Sequence, residues 1–467
     1  MDTEKPSILL GELADWVQGS CRGDLPPTCC GLTQDSRKIA PGMVYVALKG
    51  ERFDGHRFVG DALGKGAAAA LVSTEWKIPP ELDKAPLIRV GDPLKALSEA
   101  ARIWRRHCRA RIVGLTGSVG KTTTKELTAA CLGADGRRVC ATRGNLNNAI
   151  GLPLSLLTLT EYDDFGVFET GTNHPGEILH LARILEPEAA ILTNIGTAHI
   201  EHFHSREAIA EEKSTLLAHL PEDGFAVLPR ETACMEIIRR RSRARLVTVS
   251  LESREADYSG EVADPATGRL RIFERENGEV TEVSSGLPGA HHAADLLLAF
   301  ATAREAGIQA GKIPAALKGF TLPGMRWSKS RYRDITFIND AYNANPQSML
   351  AALDTLSRTP TAGRRVAVVG DMLELGEFSG RFHREVGERA ARCGLDLLVT
   401  VGGESRRHTA EGALKAGFPA SRIQSFDRAD PSTREALLAL LRPGDTVLLK
   451  ASRGVALEKL LPEKEGE

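Results

Sequence analysis

Arg111-Ile112-Val113-Gly114-Leu115-Thr116-Gly117-Ser118-Val119-Gly120-Lys121-Thr122-Thr123-Thr124 runs from an apolar strand into a glycine loop, and Lys-Thr then opens a helix. Such a loop can aim successive backbone N–H groups at phosphate oxygens, and the helix N-terminus adds partial positive charge. Thr116, Gly117, Ser118, Val119, Gly120, Lys121, Thr122 and Thr123 are therefore expected to cradle a nucleotide's phosphates. Lys121 would neutralise the β- and γ-phosphates, and the Thr122 hydroxyl would bind Mg²⁺. The usual pattern has Gly where Leu115 stands, so the loop is a variant. A plain glycine turn is the bland alternative, and the flanking strand and helix weigh against it. Kinase, GTPase, motor and ligase all remain open on the loop alone.

Outward from the loop, short apolar runs at 165–170, 189–196, 225–228 and 245–250 alternate with helical stretches at 177–185, 207–219 and 232–241. That rhythm predicts an α/β fold with a parallel sheet covered by helices on both faces. Alternating residues over 258–284 break it and suggest an antiparallel flap, followed by a helix at 292–306. Past Leu322-Pro323-Gly324 the alternation restarts, with strands at 335–339, 365–369, 395–401 and 446–450 and helices at 346–356, 382–393 and 433–441. This is a second, Rossmann-like doubly wound unit. The first ~90 residues read as a small α/β unit with its own core, closed off by Ile78-Pro79-Pro80 and Gly91-Asp92-Pro93. At 467 residues, about three times the usual domain length, the chain divides at 1–90, 91–323 and 324–467. Hinges are expected near Gly91 and Pro323-Gly324.

Composition narrows the function. Sixty Lys and Arg against 61 Asp and Glu leave a formal charge of −1, which argues against a general nucleic-acid binder. Eight cysteines without a Cys-x-x-Cys pair suit neither a disulfide framework nor a zinc knuckle. Residues 1–16 carry Asp2 and Glu4 and only a short apolar run, unlike a signal peptide. No apolar stretch approaches the ~18 residues of a membrane span. The chain reads as cytoplasmic, with monomer as the default state.

Four further segments bear on the chemistry. Phe168-Glu169-Thr170-Gly171 ends a strand on a carboxylate, where parallel sheets place ligands. Thr193-Asn194-Ile195-Gly196-Thr197-Ala198-His199 ends the next on a histidine. Glu211-Glu212-Lys213 sits on the following helix, and Asn339-Asp340-Ala341-Tyr342-Asn343-Ala344-Asn345-Pro346 opens the third unit. Singly, Glu169 reads as a helix cap, His199 as a core or surface residue, and Lys213 as a solvated helix residue. Their order after a phosphate loop lifts the joint reading.

Three more segments carry a family resemblance: Arg143-Gly144-Asn145-Leu146-Asn147-Asn148 with Ile150-Gly151-Leu152-Pro153, then Asn343-Ala344-Asn345-Pro346, then Val369-Gly370-Asp371-Met372-Leu373-Glu374-Leu375-Gly376. With the loop, they make the chain resemble the Mur ligase family of ATP-dependent amide-forming enzymes over nearly its whole length. The three segments resemble members that join D-alanyl-D-alanine to a UDP-N-acetylmuramoyl tripeptide in peptidoglycan synthesis. The resemblance implies ATP with two Mg²⁺ ions held by Thr122, Glu169 and His199. It implies Lys213 as a lysine that several members carry as a carbamate, and Arg326 as the arginine that reaches the phosphates from between domains. Lys121, Lys213 and Arg326 would thus be catalytic, with Asn148 and Asn343 contacting nucleotide. Thr33-Gln34-Asp35-Ser36-Arg37 resembles the uridine-diphosphate segment, with Ser36 and Arg37 on the substrate. Lys450, Ser452 and Arg453 would lie near the incoming amino substrate, although Ala451 stands where the family more often has Gly. Another departure is His291-His292-Ala293-Ala294-Asp295, where the family usually has asparagines at the places of His292 and Asp295. The alternatives are a sibling ligase adding the third peptide residue, a folylpolyglutamate-type synthetase, or a nucleotide-switch protein. Against the last, the guanine-reading Asn-Lys-x-Asp is absent.

Overall fold

The computed structural model describes residues 5–462, so Asp2 and Glu4 lie outside the described residues. Its centre is a nine-stranded sheet in the order Val280–Ser284, Arg269–Glu274, Tyr258–Asp264, Arg245–Ser250, Phe225–Pro229, Ala189–Leu192, Arg111–Thr116, Phe165–Glu169, Val139–Ala141. From Val139–Ala141 to Arg245–Ser250 every pair is parallel. All five residues of Phe165–Glu169 are buried, as in a strand covered on both faces. One face is covered by the helices Lys121–Leu132 and Ala290–Glu305, the other by Pro93–His107 and Glu177–Leu185. The antiparallel segment expected at 258–284 is present, but it does not stand apart. Its first strand joins the sheet beside Arg245–Ser250 through Val249↔Tyr258, so the hairpins simply extend the central sheet.

The strand Arg111–Thr116 lies between Phe165–Glu169 and Ala189–Leu192, and here the chain's winding reverses direction. Ligand crevices open at such a point, beyond the strands' carboxyl ends. Register puts Glu169 beside Leu115 and Leu192 beside Thr116, so both neighbouring strands deliver their next residues around the glycine loop.

The N-terminal region carries a five-stranded sheet, Ser20–Arg22, Leu87–Val90, Ala69–Ser73, Val44–Val46, Leu32–Thr33. The expectation of a separate core holds for one face only, packed around Tyr45, Val59 and Val72. The other face, with Ile8, Leu13 and Ile88, runs without a break into the core of the central region. The cause is the helix Pro93–His107, capped by Asp92 on the amides of Leu94 and Lys95, which packs against both regions and sets Trp104 against Trp16 with ring centroids 6.3 Å apart. Gly91 therefore leads into a helix whose buried face both regions share.

The C-terminal sheet runs Ser328–Tyr332, Ile335–Asn339, Thr446–Lys450, Arg365–Gly370, Leu397–Val401, Ile423–Phe426, parallel except at the first edge. Its two cores are separate from those of the central region, so Pro323-Gly324 joins bodies with independent interiors.

Candidate active site

The glycine loop is held from the adjoining segment. Thr193 Oγ1 donates to the Val119 carbonyl at 2.5 Å, and Ser118 Oγ accepts from the Gly196 amide at 2.9 Å. The Ser118 and Val119 amides, expected to face phosphate, donate instead to Asn194 Oδ1 at 3.1 and 3.0 Å. An amide side chain here occupies the donors that a phosphate oxygen would use. Two glycines are obligatory. A Cβ on Gly117 (φ +152) would lie 1.9 Å from Thr193 Oγ1, and one on Gly120 (φ +81) 2.4 Å from Asp295 Oδ1.

Beyond the loop, Lys121 Nζ donates to the Gly117 carbonyl at 2.8 Å. Burial lowers the Lys121 pKa and the nearby Arg326 lowers it further, against the Glu169 charge that raises it. Thr122 is buried and donates to Glu169 Oε2 at 2.9 Å, while Asn147 Nδ2 donates to Glu169 Oε1 at 2.8 Å. Arg326 crosses from the C-terminal region to donate to Thr122 Oγ1 at 3.0 Å, its guanidinium stacked 3.7 Å over the Tyr342 ring. Asn345 Nδ2 reaches the Ser118 carbonyl at 3.4 Å, and Asn345 Oδ1 with Ser348 forms the capping box of the helix Pro346–Arg358. His199, in the left-handed region at φ +60, meets Glu374 Oε2 through Nδ1 at 2.6 Å. That hydrogen bond holds the Glu374 carboxyl below the usual carboxylate range.

These groups surround a cleft of about 690 Å³ between the central and C-terminal regions. Of the residues singled out in the sequence, Ser118, Val119, Gly120, Lys121, Thr122, Thr123, Asn148, Glu169, His199, Arg326, Asn343, Lys450, Ser452 and Arg453 line it. Thr116 and Gly117 lie just beneath. Asn148 caps the helix Gly151–Leu156 through the amides of Ile150 and Gly151. Lys450 Nζ is bound to Asp340 Oδ2 at 2.6 Å and to the Asn343 carbonyl at 3.2 Å. Ser36 and Arg37 are not brought to the cleft. They sit on the N-terminal surface, where Arg37 grips Asp35 and draws its carboxyl down to about 2.

Lys213 corrects its single-residue reading as a solvated group. It is 2% exposed on the helix Arg206–Ser214, and among the described residues its ammonium has neither hydrogen bond nor ion pair. Burial, then the charge of Lys121, hold its pKa well below the usual lysine value. Beside it Glu212 caps the amides of Gly176 and Ile178, both at 2.8 Å.

At the two positions where the resemblance leads one to expect asparagine, His292 Nδ1–H donates to the Pro288 carbonyl at 2.7 Å, and its ring lies 3.9 Å from that of His291. Asp295 accepts from Thr124 Oγ1 at 3.0 Å, and burial pushes its carboxyl up to about 8. At neutral pH it is therefore largely a neutral acid, closer to an asparagine than its charge suggests.

Several site residues were not singled out from sequence: Thr193, Asn194, Asn147, Tyr342 and Glu374. All lie inside quoted segments, but their partners come from other elements.

Residues 115–303 match the Mur ligase middle domain, 325–453 the Mur ligase glutamate ligase domain, and 29–105 the Mur ligase family catalytic domain. The UDP-N-acetylmuramoyl-tripeptide–D-alanyl-D-alanine ligase of Escherichia coli (strain K12) is 36% identical over 462 residues, which is 97% of this chain and 98% of that one. The chain belongs to the Mur ligase family. Among solved structures, MurF from Acinetobacter baumannii superposes with a TM-score of 0.85 at 29% identity, covering 98% of both chains. MurF ligase from Thermotoga maritima, solved with ADP, gives a TM-score of 0.76 at 30% identity over 92% of this chain and 96% of that one. The three-domain α/β architecture is thus that of a Mur ligase. Among the described residues no helix is long and apolar enough to cross a membrane.

Proposed function

We propose that this Mur ligase joins D-alanyl-D-alanine to UDP-N-acetylmuramoyl-tripeptide, spending ATP to ADP and phosphate and giving the pentapeptide nucleotide of peptidoglycan synthesis. One observation carries the reading: Arg326 reaches Thr122 across the domain boundary, beside Lys121 and Glu169. That arrangement concentrates positive charge where a phosphate loop meets a closing domain. The names of the similar proteins support this choice of substrates.

In the first step the terminal carboxylate of the tripeptide attacks the γ-phosphorus and ADP leaves, giving an acyl phosphate. Two anions must approach, so Lys121 and Arg326 stabilise charge on the transferring phosphoryl oxygens. The amine of D-alanyl-D-alanine then attacks the acyl carbon, and phosphate departs with one oxygen of the original carboxylate. Closure of the C-terminal region about Pro323-Gly324 brings amine and acyl group together and excludes water.

Mg²⁺ fits the residues present. Thr122 and Glu169 offer hard oxygen donors 2.9 Å apart, and Glu374 on Nδ1 of His199 leaves Nε2 for a metal. Among the described residues no three His, Cys, Asp or Glu form a site by themselves. That suits magnesium, which takes one or two carboxylates and fills its shell with phosphate and water. When bound, two such ions would neutralise phosphate charge. Lys213, carried as a carbamate, would present an anion behind Lys121.

Residues 1–90 would hold the uridine nucleotide through Ser36 and Arg37, 91–323 the ATP, and 324–467 the dipeptide through Lys450, Ser452 and Arg453. The enzyme would act in the cytoplasm as a monomer. The test is to label the tripeptide carboxylate with ¹⁸O. One label should appear in the released phosphate and the amide product should retain the other. Release of unlabelled phosphate would rule out the acyl phosphate.

A further inference from the structure

The amino substrate of the proposed reaction is a zwitterion, and the inference below rests on that reading. Its reacting end is an ammonium before it is a nucleophile, and its far end is a carboxylate. A cleft that selects it needs an anion at one end, a cation at the other, and apolar surface for the methyl groups between.

The C-terminal wall of the cleft has two carboxylates, Asp340 and Glu374. Asp340 is spent internally: Oδ2 binds Lys450 at 2.6 Å and Oδ1 accepts from the Trp327 amide at 3.2 Å. On the facing wall, Glu169 has both oxygens engaged, by Thr122 and Asn147, Glu177 Oε2 accepts from the amides of Asn173 and His174, and the buried Asp295 accepts from Thr124. Glu374 differs. Its Oε2 meets His199, its Oε1 makes no hydrogen bond among the described residues, and its side chain is 49% exposed.

The backbone at Glu374 is left-handed, φ +61, a conformation glutamate rarely adopts. Strain of this kind persists where neighbouring contacts fix it, and it clusters at ligand-binding positions. Here the contacts are explicit. Ser452 Oγ accepts from the Leu373 amide at 2.9 Å, and the Ser452 amide donates to the Asp371 carbonyl at 3.0 Å. The segment bearing Glu374 is thus tied to the one bearing Ser452 and Arg453. Leu373 is half exposed although large and apolar, and it lies over Gly454, where a Cβ would come within 3.0 Å of Leu373 Cδ1. Arg453 lines the same cleft, its side chain 57% exposed, with Nη1 on Glu458 Oε1 at 2.7 Å.

We infer that Glu374 receives the ammonium of the amino substrate through Oε1, with Leu373 against the first methyl group and Arg453 toward the terminal carboxylate. The nitrogen then lies beside the His199 imidazole, at the reacting end of the cleft. Glu374 is in this sense a specificity residue, reading a free amine.

The test compares wild type with Glu374→Gln, which keeps size and removes charge. Steady-state constants are measured for D-alanyl-D-alanine, the nucleotide tripeptide and ATP, and N-acetyl-D-alanyl-D-alanine serves as a competitive inhibitor that lacks the ammonium. Losing a hydrogen-bonded charge partner should raise KM for the dipeptide about 10- to 100-fold. With Mg²⁺ saturating, so that the Glu374–His199 contact does not limit metal occupancy, the other two KM values and the Ki of the acetylated dipeptide should stay as in wild type. An unchanged dipeptide KM overturns the inference. So does a rise of all three KM values together, because Glu374 would then serve only as a closing contact to His199. Loss of affinity for acetylated and free dipeptide alike also overturns it. A wild-type enzyme that ignores D-alanyl-D-alanine sinks the proposed reaction along with the inference, whereas one that uses it while Glu374→Gln binds it equally well sinks the inference alone.

Discussion

Replacing Lys213 by alanine separates two chemistries for one buried amine. The side chain is 2% exposed, and its pKa is pulled well below that of a free lysine, first by burial and then by Lys121. Because the folded value is depressed, the unfolded chain holds a proton that the native one gives up over the window between the two values. Stability therefore rises with pH through that window, and at neutral pH the buried amine costs stability. Truncation relieves that cost but leaves a cavity where the lysine methylenes were, so two effects of opposite sign leave the melting temperature little changed. Activity responds differently. A neutral amine adds CO₂ and releases a proton, becoming an anionic carbamate next to Lys121, a charge that favours the Lys121 ammonium. Losing one such fixed charge from a phosphoryl-transfer site costs about 10²- to 10³-fold in kcat, on the scale of a lost transition-state donor. The assay is phosphate release from Lys213→Ala with and without formate or acetate, alongside wild type stripped of CO₂ and then given bicarbonate. Partial rescue by the small carboxylates and recovery with bicarbonate are expected. An active wild type that is indifferent to CO₂, with an alanine variant that no carboxylate rescues, rules out the carbamate.

Other perturbations test neighbouring parts of the site. Lys121→Ala removes a donor to the transferring phosphoryl group and should cut kcat by at least about 10²-fold, with circular dichroism and melting temperature nearly unchanged; near wild-type turnover would mean the loop is not the catalytic one. Glu169→Ala and His199→Ala should each raise the Mg²⁺ concentration needed for half-maximal rate and lower kcat, while a variant that simply unfolds would show its residue to be structural. Asp295 has a folded pKa of about 8, above that of an unfolded aspartate, so the native state keeps a proton the unfolded chain loses. Stability should fall as pH rises from the unfolded value to about 8 and then level off. Asp295→Asn should abolish that fall, making the variant's melting temperature exceed wild type's in alkaline buffer and converge with it in acid; parallel curves would count against a buried protonated acid.

Much of the architecture was legible because parallel strands buried on both faces read as plain apolar runs, as in Phe165–Glu169 and Arg365–Gly370. The strand Ser328–Tyr332 was not, since an exposed edge needs no apolar alternation and its residues are Ser, Lys, Ser, Arg and Tyr. The three-residue Val139–Ala141 was too short to register. Within the site, Lys121, Thr122 and Glu169 follow from local pattern and sheet register. Asn194 on the loop amides and Glu374 on His199 do not, because each depends on a side chain delivered from a distant element. Glu211-Glu212-Lys213 makes the same point within three residues. Glu211 is solvated and pairs with Arg240 and Arg241, Glu212 turns inward to cap backbone amides, and Lys213 is buried. Nothing in three consecutive charged residues announces that division.

Which nucleotide peptide is joined to which amine decides the assignment, and crossing the substrates reads it out. Purified enzyme with ATP and Mg²⁺ is given UDP-muramoyl dipeptide or tripeptide, each against D-alanyl-D-alanine or a single diamino acid, and phosphate release is followed together with the mass of the nucleotide product. Phosphate and an amide product from the tripeptide with D-alanyl-D-alanine, and from no other pair, is the predicted result. Product from the dipeptide nucleotide with the diamino acid, and none from the predicted pair, would contradict it and make the enzyme the ligase that adds the third residue.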